Sequence, residues 1–373
     1  MRSGIFVRRS AYRRRWLLGV FLWCCPAEHP ASADDLSGAM LQTVVKGQKL
    51  EGLPLAWSAD RVHLVARDGR LWEFSPREAQ DYQQTSGYFR GYSAAEMRSA
   101  LERELGDHLD VTGTSHYLVA HPRGQGGQWA ERFENLYRSF VHYFAVRGFR
   151  TAEPPFPLVA IVWTREQDFF RFAAGDGNPV GPGVLGYYSP KTNRIALFDS
   201  SGGQKKGKEW EQDASTIIHE VTHQTAFNCS VHSRFILPPR WLAEGLGTLY
   251  EARGIYDSRT YQSQSDRVNR GRLKQFRQLV SSGRPACFFM ELAGSDRIFS
   301  QSPGAAYAES WAFSFFLSET EPKKYCDYLA LTMQGKSFDT PASAERVAQF
   351  VSVFGRDVQM LDAHFLRFME GIQ

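Results

Sequence analysis

Residues 40–76 alternate short apolar runs with turn-forming residues. Val44-Val45, Leu53-Pro54-Leu55-Ala56-Trp57, Val62-His63-Leu64-Val65 and Leu71-Trp72-Glu73-Phe74 are separated by Gly47, Gly52, Asp60 and Asp68-Gly69. Runs of this kind predict short strands, and the Asp-Gly step predicts a hairpin. Residues 77–97 are polar and rich in Gly, Tyr and Ser, which reads as a linker. Within it, Ser93 and Glu96 form a capping box for a helix from Ala94 to about Leu105. Beyond residue 111 the period lengthens. Tyr117-Leu118-Val119-Ala120 predicts a strand, and Trp129, Phe133, Leu136, Tyr137, Phe140, Val141 and Phe144 recur at three- and four-residue steps. That is an amphipathic helix, stopped by Gly148. A buried-type strand follows at 158–163, a helix at 165–174, and a hairpin whose strands, Val184 to Ser189 and Arg194 to Phe198, turn through Pro190-Lys191-Thr192-Asn193. A helix is predicted from Glu211 to Asn228, and a second is opened by Pro238-Pro239 and runs to about Gly254. From Gln262 onward the chain reads as mostly helical, most apolar from Tyr307 to Ser318. Strands first and helices after predict an α+β fold.

The chain of 373 residues is 43% hydrophobic and 14% aromatic, enough for a large core and too apolar for a disordered protein. The N-terminus stands apart. Arg2, Arg8, Arg9, Arg13, Arg14 and Arg15 precede the apolar run Trp16 to Cys25, and Ala31-Ser32-Ala33 offers a small-residue cleavage site. The run is short for a bilayer span, so residues 1–33 read as a secretory signal peptide, with no stable membrane span left after cleavage. Six Arg and one acid leave with it, taking Lys+Arg from 44 to 38 and Asp+Glu from 40 to 39. The basic surplus is then a targeting signal, and nothing remains to attract nucleic acid. Three cysteines stay, Cys229, Cys287 and Cys326, too few and too scattered for a disulfide framework. One bridge with a free thiol and three unbridged core cysteines are both open.

The chemistry is concentrated in His219-Glu220-Val221-Thr222-His223. On a helix, positions i and i+4 share one face, so His219 and His223 can bind a single Zn²⁺ while Glu220 serves as a base without being a ligand. A catalytic zinc takes three protein ligands and keeps one position open. Glu244, within Trp241-Leu242-Ala243-Glu244-Gly245, sits 21 positions past His223. That is enough chain to return a second helix beside the first, with Glu244 as third ligand. Glu251, seven positions further on, can accept a hydrogen bond from a ligand imidazole.

These two motifs resemble those of the gluzincin zinc metallopeptidases, and most closely a family of secreted bacterial proteins of unassigned function in the same peptidase-like superfamily. The resemblance extends over residues 111–320, with its specific motifs at 219–251. It implies a thermolysin- or aminopeptidase-like core with a small mixed sheet, one bound zinc, and a peptide or protein as substrate. It implies Glu220 as general base and Tyr307, 63 positions past Glu244, as the electrophile for the tetrahedral intermediate, with His232 as rival. It also implies that the strand Asn193 to Phe198 is an edge strand to which substrate pairs, with Tyr187 and Tyr188 lining the cleft. Two elements depart from the pattern. No Gly-x-Met-Glu-Asn sequence is present, which counts against an aminopeptidase, and Thr248 stands one turn past Glu244 where thermolysin has an aspartate.

The division expected is a signal peptide (1–33), a small β module with linker (34–92), a zincin catalytic subdomain (93–260) and a helical C-terminal subdomain (261–373). The function expected is a zinc-dependent peptidase secreted from, or held in the envelope of, a bacterium. Alternatives are a zinc hydrolase of non-peptide amides such as cell-wall fragments, and an inactive peptidase-like envelope binding protein. Oligomeric state is left open by the sequence.

Overall fold

The early apolar runs form an antiparallel sheet. The computed structural model describes residues 38–199, 208–334 and 341–373; the predicted signal peptide and nearly all of the Lys-bearing loop at 200–209 lie outside the described residues. Strands β1 (Met40–Val45), β2 (Gln48–Trp57), β3 (Val62–Ala66), β4 (Leu71–Phe74) and β5 (Ala79–Ser86) pair in the order β4-β3-β2-β1-β5. The Asp68-Gly69 turn joins β3 to β4 with Gly69 at φ +83°, a conformation glycine adopts without Cβ strain. Strand β5 lies where a linker was predicted. Its side chains are exposed except at the two ends, so no apolar alternation marks it. Backbone pairing to β1 is what makes it a strand.

The capping box at Ser93 and Glu96 opens α1 (Ala94–Leu105) as predicted. A second sheet holds β6 (Leu109–Gly113), β7 (Tyr117–Pro122), β8 (Leu158–Trp163), β9 (Gly186–Ser189) and β10 (Arg194–Phe198), in the order β6-β7-β8-β10-β9. It is mixed: β7, β8 and β10 run parallel, while β6 and β9 are antiparallel to their neighbours. Alternate side chains point to opposite faces. Val119, Ala160, Val162 and Ile195 pack on Trp129 and Phe133 of α2 (Gly126–Ala145) and on Ile217 and Val221 of α4 (Lys208–Asn228). Leu118, Ala120, Val159 and Ile161 pack on Met97 and Leu101 of α1 and on Phe172 of α3 (Glu166–Gly175). Coverage of both faces explains why β8 is apolar throughout rather than alternating. One expectation is corrected here. Strand β10 is interior, held by β8 on one side and β9 on the other, so the edge strand beside α4 is β9.

The rest is helical: α5 (Arg240–Tyr250), α6 (Arg253–Tyr256), α7 (Arg270–Ser281), α8 (Phe288–Gly294), α9 (Ile298–Gln301), α10 (Pro303–Thr320), α11 (Pro322–Thr332), α12 (Ser343–Phe354) and α13 (Val358–Glu370). The helix predicted to run to Gly254 is broken after Tyr250 into α5 and α6. Helix α10 is buried on every side from Ala308 to Ser318, with α5, α7, α8, α9, α11 and α13 packed around it. Gly245 permits a close approach of α5 to α10: a Cβ there would stand 2.7 Å from the Ser310 carbonyl oxygen. The three cysteines among the described residues, Cys229, Cys287 and Cys326, are free. No helix among the described residues is long and apolar enough to cross a membrane.

One charge cluster sits inside this helical part. Arg284 donates from Nε to Glu309 at 2.8 Å and from Nη2 to Asp362 at 2.8 Å, with Glu309 fully buried on α10. Burial pushes the Glu309 carboxyl toward neutrality, and Arg284 opposes that. Removing the shared cation strands two buried carboxylates against each other, so Arg284→Ala is expected to destabilise the fold by about 3–5 kcal/mol. Urea denaturation checks this; a loss under about 1 kcal/mol would mean that the cluster is solvated.

Candidate metal centre

Three side chains from two helices meet at one point. His219 and His223 stand one turn apart on α4, with Nε2 atoms 3.0 Å from each other and ring planes at 84°. Glu244 on α5 brings Oε2 to 3.3 Å from His219 Nε2 and 3.6 Å from His223 Nε2. These are the only His, Cys, Asp and Glu side chains among the described residues that converge closely enough to hold a metal ion. Donors bound at about 2.0–2.1 Å to one ion at tetrahedral angles lie about 3.3 Å apart, in the middle of the observed spread.

The proton positions point the same way. His219 Nδ1 lies 2.9 Å from Glu251 Oε1. An ionised carboxylate can only accept, so Nδ1 carries a hydrogen, and Nε2 is the ring atom that faces Glu244 and His223. A proton on Nε2, or a metal cation in its place, offsets the Glu244 charge. Burial favours the neutral His219 ring, yet its hydrogen bonds to Glu244 and Glu251 prevail and lift its pKa to about 10. Burial likewise opposes the Glu244 charge, but the two imidazoles hold its carboxyl well below the ordinary range. Each effect marks a place built for positive charge. The donor set of two imidazoles and one carboxylate fits zinc.

Supporting residues fix this geometry. Glu251, at the C-terminal cap of α5, also accepts from Asn269 Nδ2 at 2.7 Å. Asn269 caps α7 and donates to the Thr248 carbonyl at 3.1 Å. Thr248 itself bonds back to the Glu244 carbonyl at 2.7 Å, a helix-internal contact with no role toward the imidazoles. Gly247 faces the His219 ring: a Cβ there would lie 2.7 Å from Cε1 and 3.0 Å from both ring nitrogens. Gly247→Ala must therefore displace the ring. A fold of unchanged circular dichroism is expected, with metal affinity reduced about 10–100-fold, the usual cost of disturbing a ligand's support. Unchanged affinity in a metal-competition titration would show that the ring has room to move.

Glu220 occupies the neighbouring face of α4. Its Oε2 accepts the Tyr188 backbone N–H at 2.7 Å, tying the signature helix to the edge strand β9. Burial raises its pKa, while the charges of His219 and His223 pull it down. Tyr187 and Tyr188, expected along a cleft, have their hydroxyls engaged elsewhere. Tyr187 donates to Asp176 at 3.2 Å, and the buried Tyr188 donates to Asn193 at 2.9 Å with its ring stacked on Phe227. Tyr307 lies near the start of α10. Its hydroxyl interacts with Glu244 and Arg240, and burial together with the Glu244 charge raises its pKa. His232 is 1% exposed, and neither ring nitrogen has a partner among the described residues. Burial, reinforced by His223, lowers its pKa to about 3 and keeps it neutral.

Of the residues named from the sequence, His219, His223 and Glu244 converge, Glu251 reaches His219, and Glu220 and Tyr307 lie beside them. Sequence reasoning missed Gly247 and Asn269. The Gly-x-Gly spacing of Gly245 and Gly247 was a readable sign of close approach. Asn269 announced itself only as a helix cap.

A family model described as a protein of unknown function (DUF1570) matches residues 213–339, a stretch that takes in His219, Glu220, His223, Glu244, Glu251 and Tyr307. No curated protein matches the chain.

Proposed function

We propose that this protein is a zinc-dependent peptidase of gluzincin type. The observation that carries the reading is the convergence of His219, His223 and Glu244, whose donor atoms lie 3.0–3.6 Å from one another. Zinc, when bound there, supplies a Lewis acid and an acidified water, leaving the protein to position the substrate and move the proton.

Glu220 is the proton carrier. With Oε2 held by the Tyr188 amide, Oε1 is the atom that accepts a proton from the attacking water and returns it to the leaving amine. Burial raises the pKa of this carboxyl, which makes it readier to take up a proton. Tyr307, beside Glu244, donates its hydroxyl hydrogen to the oxygen that gains charge as the carbonyl is attacked. Strand β9, whose Tyr188 N–H is held by Glu220, has its remaining outer-edge backbone groups to offer an extended peptide beside α4. Glu251 and Asn269 keep the His219 ring turned inward. A thermolysin-like core is part of this proposal, supported by the mixed sheet with its antiparallel edge strand packed against the signature helix. Secretion to the outside or the envelope is part of it too, supported by the Arg-rich and apolar segment before Ala31-Ser32-Ala33.

Casein digestion by the purified protein tests the reading. Hydrolysis that stops with a chelator and returns with zinc is expected. Hydrolysis indifferent to the chelator, or none by zinc-loaded protein on any peptide offered, would refute it.

A further inference from the structure

Two arginines stand on an aromatic pair next to the metal-binding group. Arg240 donates from Nε to Glu244 Oε1 at 3.3 Å, the carboxylate oxygen turned away from the imidazoles. Its guanidinium lies 4.6 Å over the Phe299 ring and interacts with the Tyr307 hydroxyl. Phe299 meets Tyr307 edge to face at 5.4 Å, and Arg272 lies 5.0 Å over the Tyr307 ring. The Arg240 side chain is 45% exposed.

Nearby acids are already engaged. Asp296 takes the Arg240 backbone N–H and the Arg346 guanidinium. Glu251 is taken by His219 and Asn269. Arg272 donates to the neutral Gln275 and pairs with no carboxylate among the described residues. With a divalent ion bound, Glu244 shares its charge with that ion, and the ion plus two guanidiniums outweigh Glu220, Glu244 and Glu251. The local balance therefore invites an anion. Guanidinium groups braced on aromatic faces are pre-set for the planar fork of a carboxylate.

We propose that Arg240 and Arg272 hold a substrate carboxylate close to the scissile bond, so that the preferred substrates are peptides with a free C-terminus or an acidic side chain at that place. This rests on the peptidase reading above and adds the substrate class to it.

The test uses the full chain loaded with Co²⁺, titrated with 2-benzyl-3-mercaptopropanoic acid and with its primary amide. The thiolate of each binds the metal and gives a charge-transfer band, and only the acid can reach the arginines with a charge. The acid is expected to bind at least about tenfold tighter than the amide, the equivalent of one charged hydrogen bond. In Arg240→Gln and Arg272→Gln that advantage should vanish while the amide binds as before. Because Arg240 also touches Glu244, Arg272→Gln decides if the other variant loses metal. Equal binding of acid and amide, or an advantage that survives in Arg272→Gln, overturns the proposal. Absence of the band with both thiols overturns the peptidase reading as well. N-acetylated peptides separate the two sources of the carboxylate: free C-terminus, amidated C-terminus, and amidated with a C-terminal Glu.

Discussion

Glu220→Gln is expected to keep its metal and lose turnover, with kcat falling about 10²–10⁴-fold, the share a positioned proton carrier supplies. The two residues are nearly the same size, and the amide oxygen can still accept the Tyr188 N–H that Glu220 Oε2 accepts at 2.7 Å. What Gln lacks is a basic oxygen at the second position. KM should therefore move little. Parallel measurement of bound metal and kcat separates this from collapse of the site. Near wild-type turnover in a metal-loaded variant would remove Glu220 from the reaction.

Glu244→Ala is expected to have the second large effect, on binding. Loss of Glu244 leaves two imidazoles 3.0 Å apart with no anionic donor between them, and a catalytic zinc normally keeps three protein ligands. The drop should exceed the roughly 10–100-fold that follows from disturbing supporting residues alone. Arg240 would lose its carboxylate partner at the same time, so Glu244→Gln serves as control. The amide retains shape and a weak donor oxygen, and metal affinity should fall between those of the wild type and Glu244→Ala. Identical zinc content in all three proteins would show that Glu244 is no ligand.

The part of the site legible in the sequence is the part that local periodicity governs. His219 and His223 share a face because a helix repeats every 3.6 residues, and the apolar flank of Ile217, Ile218 and Val221 marked that helix as embedded. Glu244 was legible because an acid set among Trp241, Leu242 and Gly245 has no solvent to face. Glu251 was legible from its spacing to Glu244, although it sits at the helix end rather than within the helix. What escaped depends on tertiary pairing. Strand β5 is polar at almost every position, so only its partner β1 reveals it. The order of β9 and β10 in the sheet is set by which of the two lies beside the parallel strand β8, and a hairpin pattern reads the same either way. The buried Arg284, Glu309 and Asp362 lie far apart in sequence, and only the packing of the helical part brings them together.

Elemental analysis of the purified full chain, with Glu244→Ala in parallel, tests the central claim most directly. About one zinc ion per wild-type chain, retained through gel filtration and lost from the variant, is the expected result for one three-ligand site. A wild-type protein that carries no stoichiometric divalent metal, even after incubation with zinc at neutral pH, would contradict it.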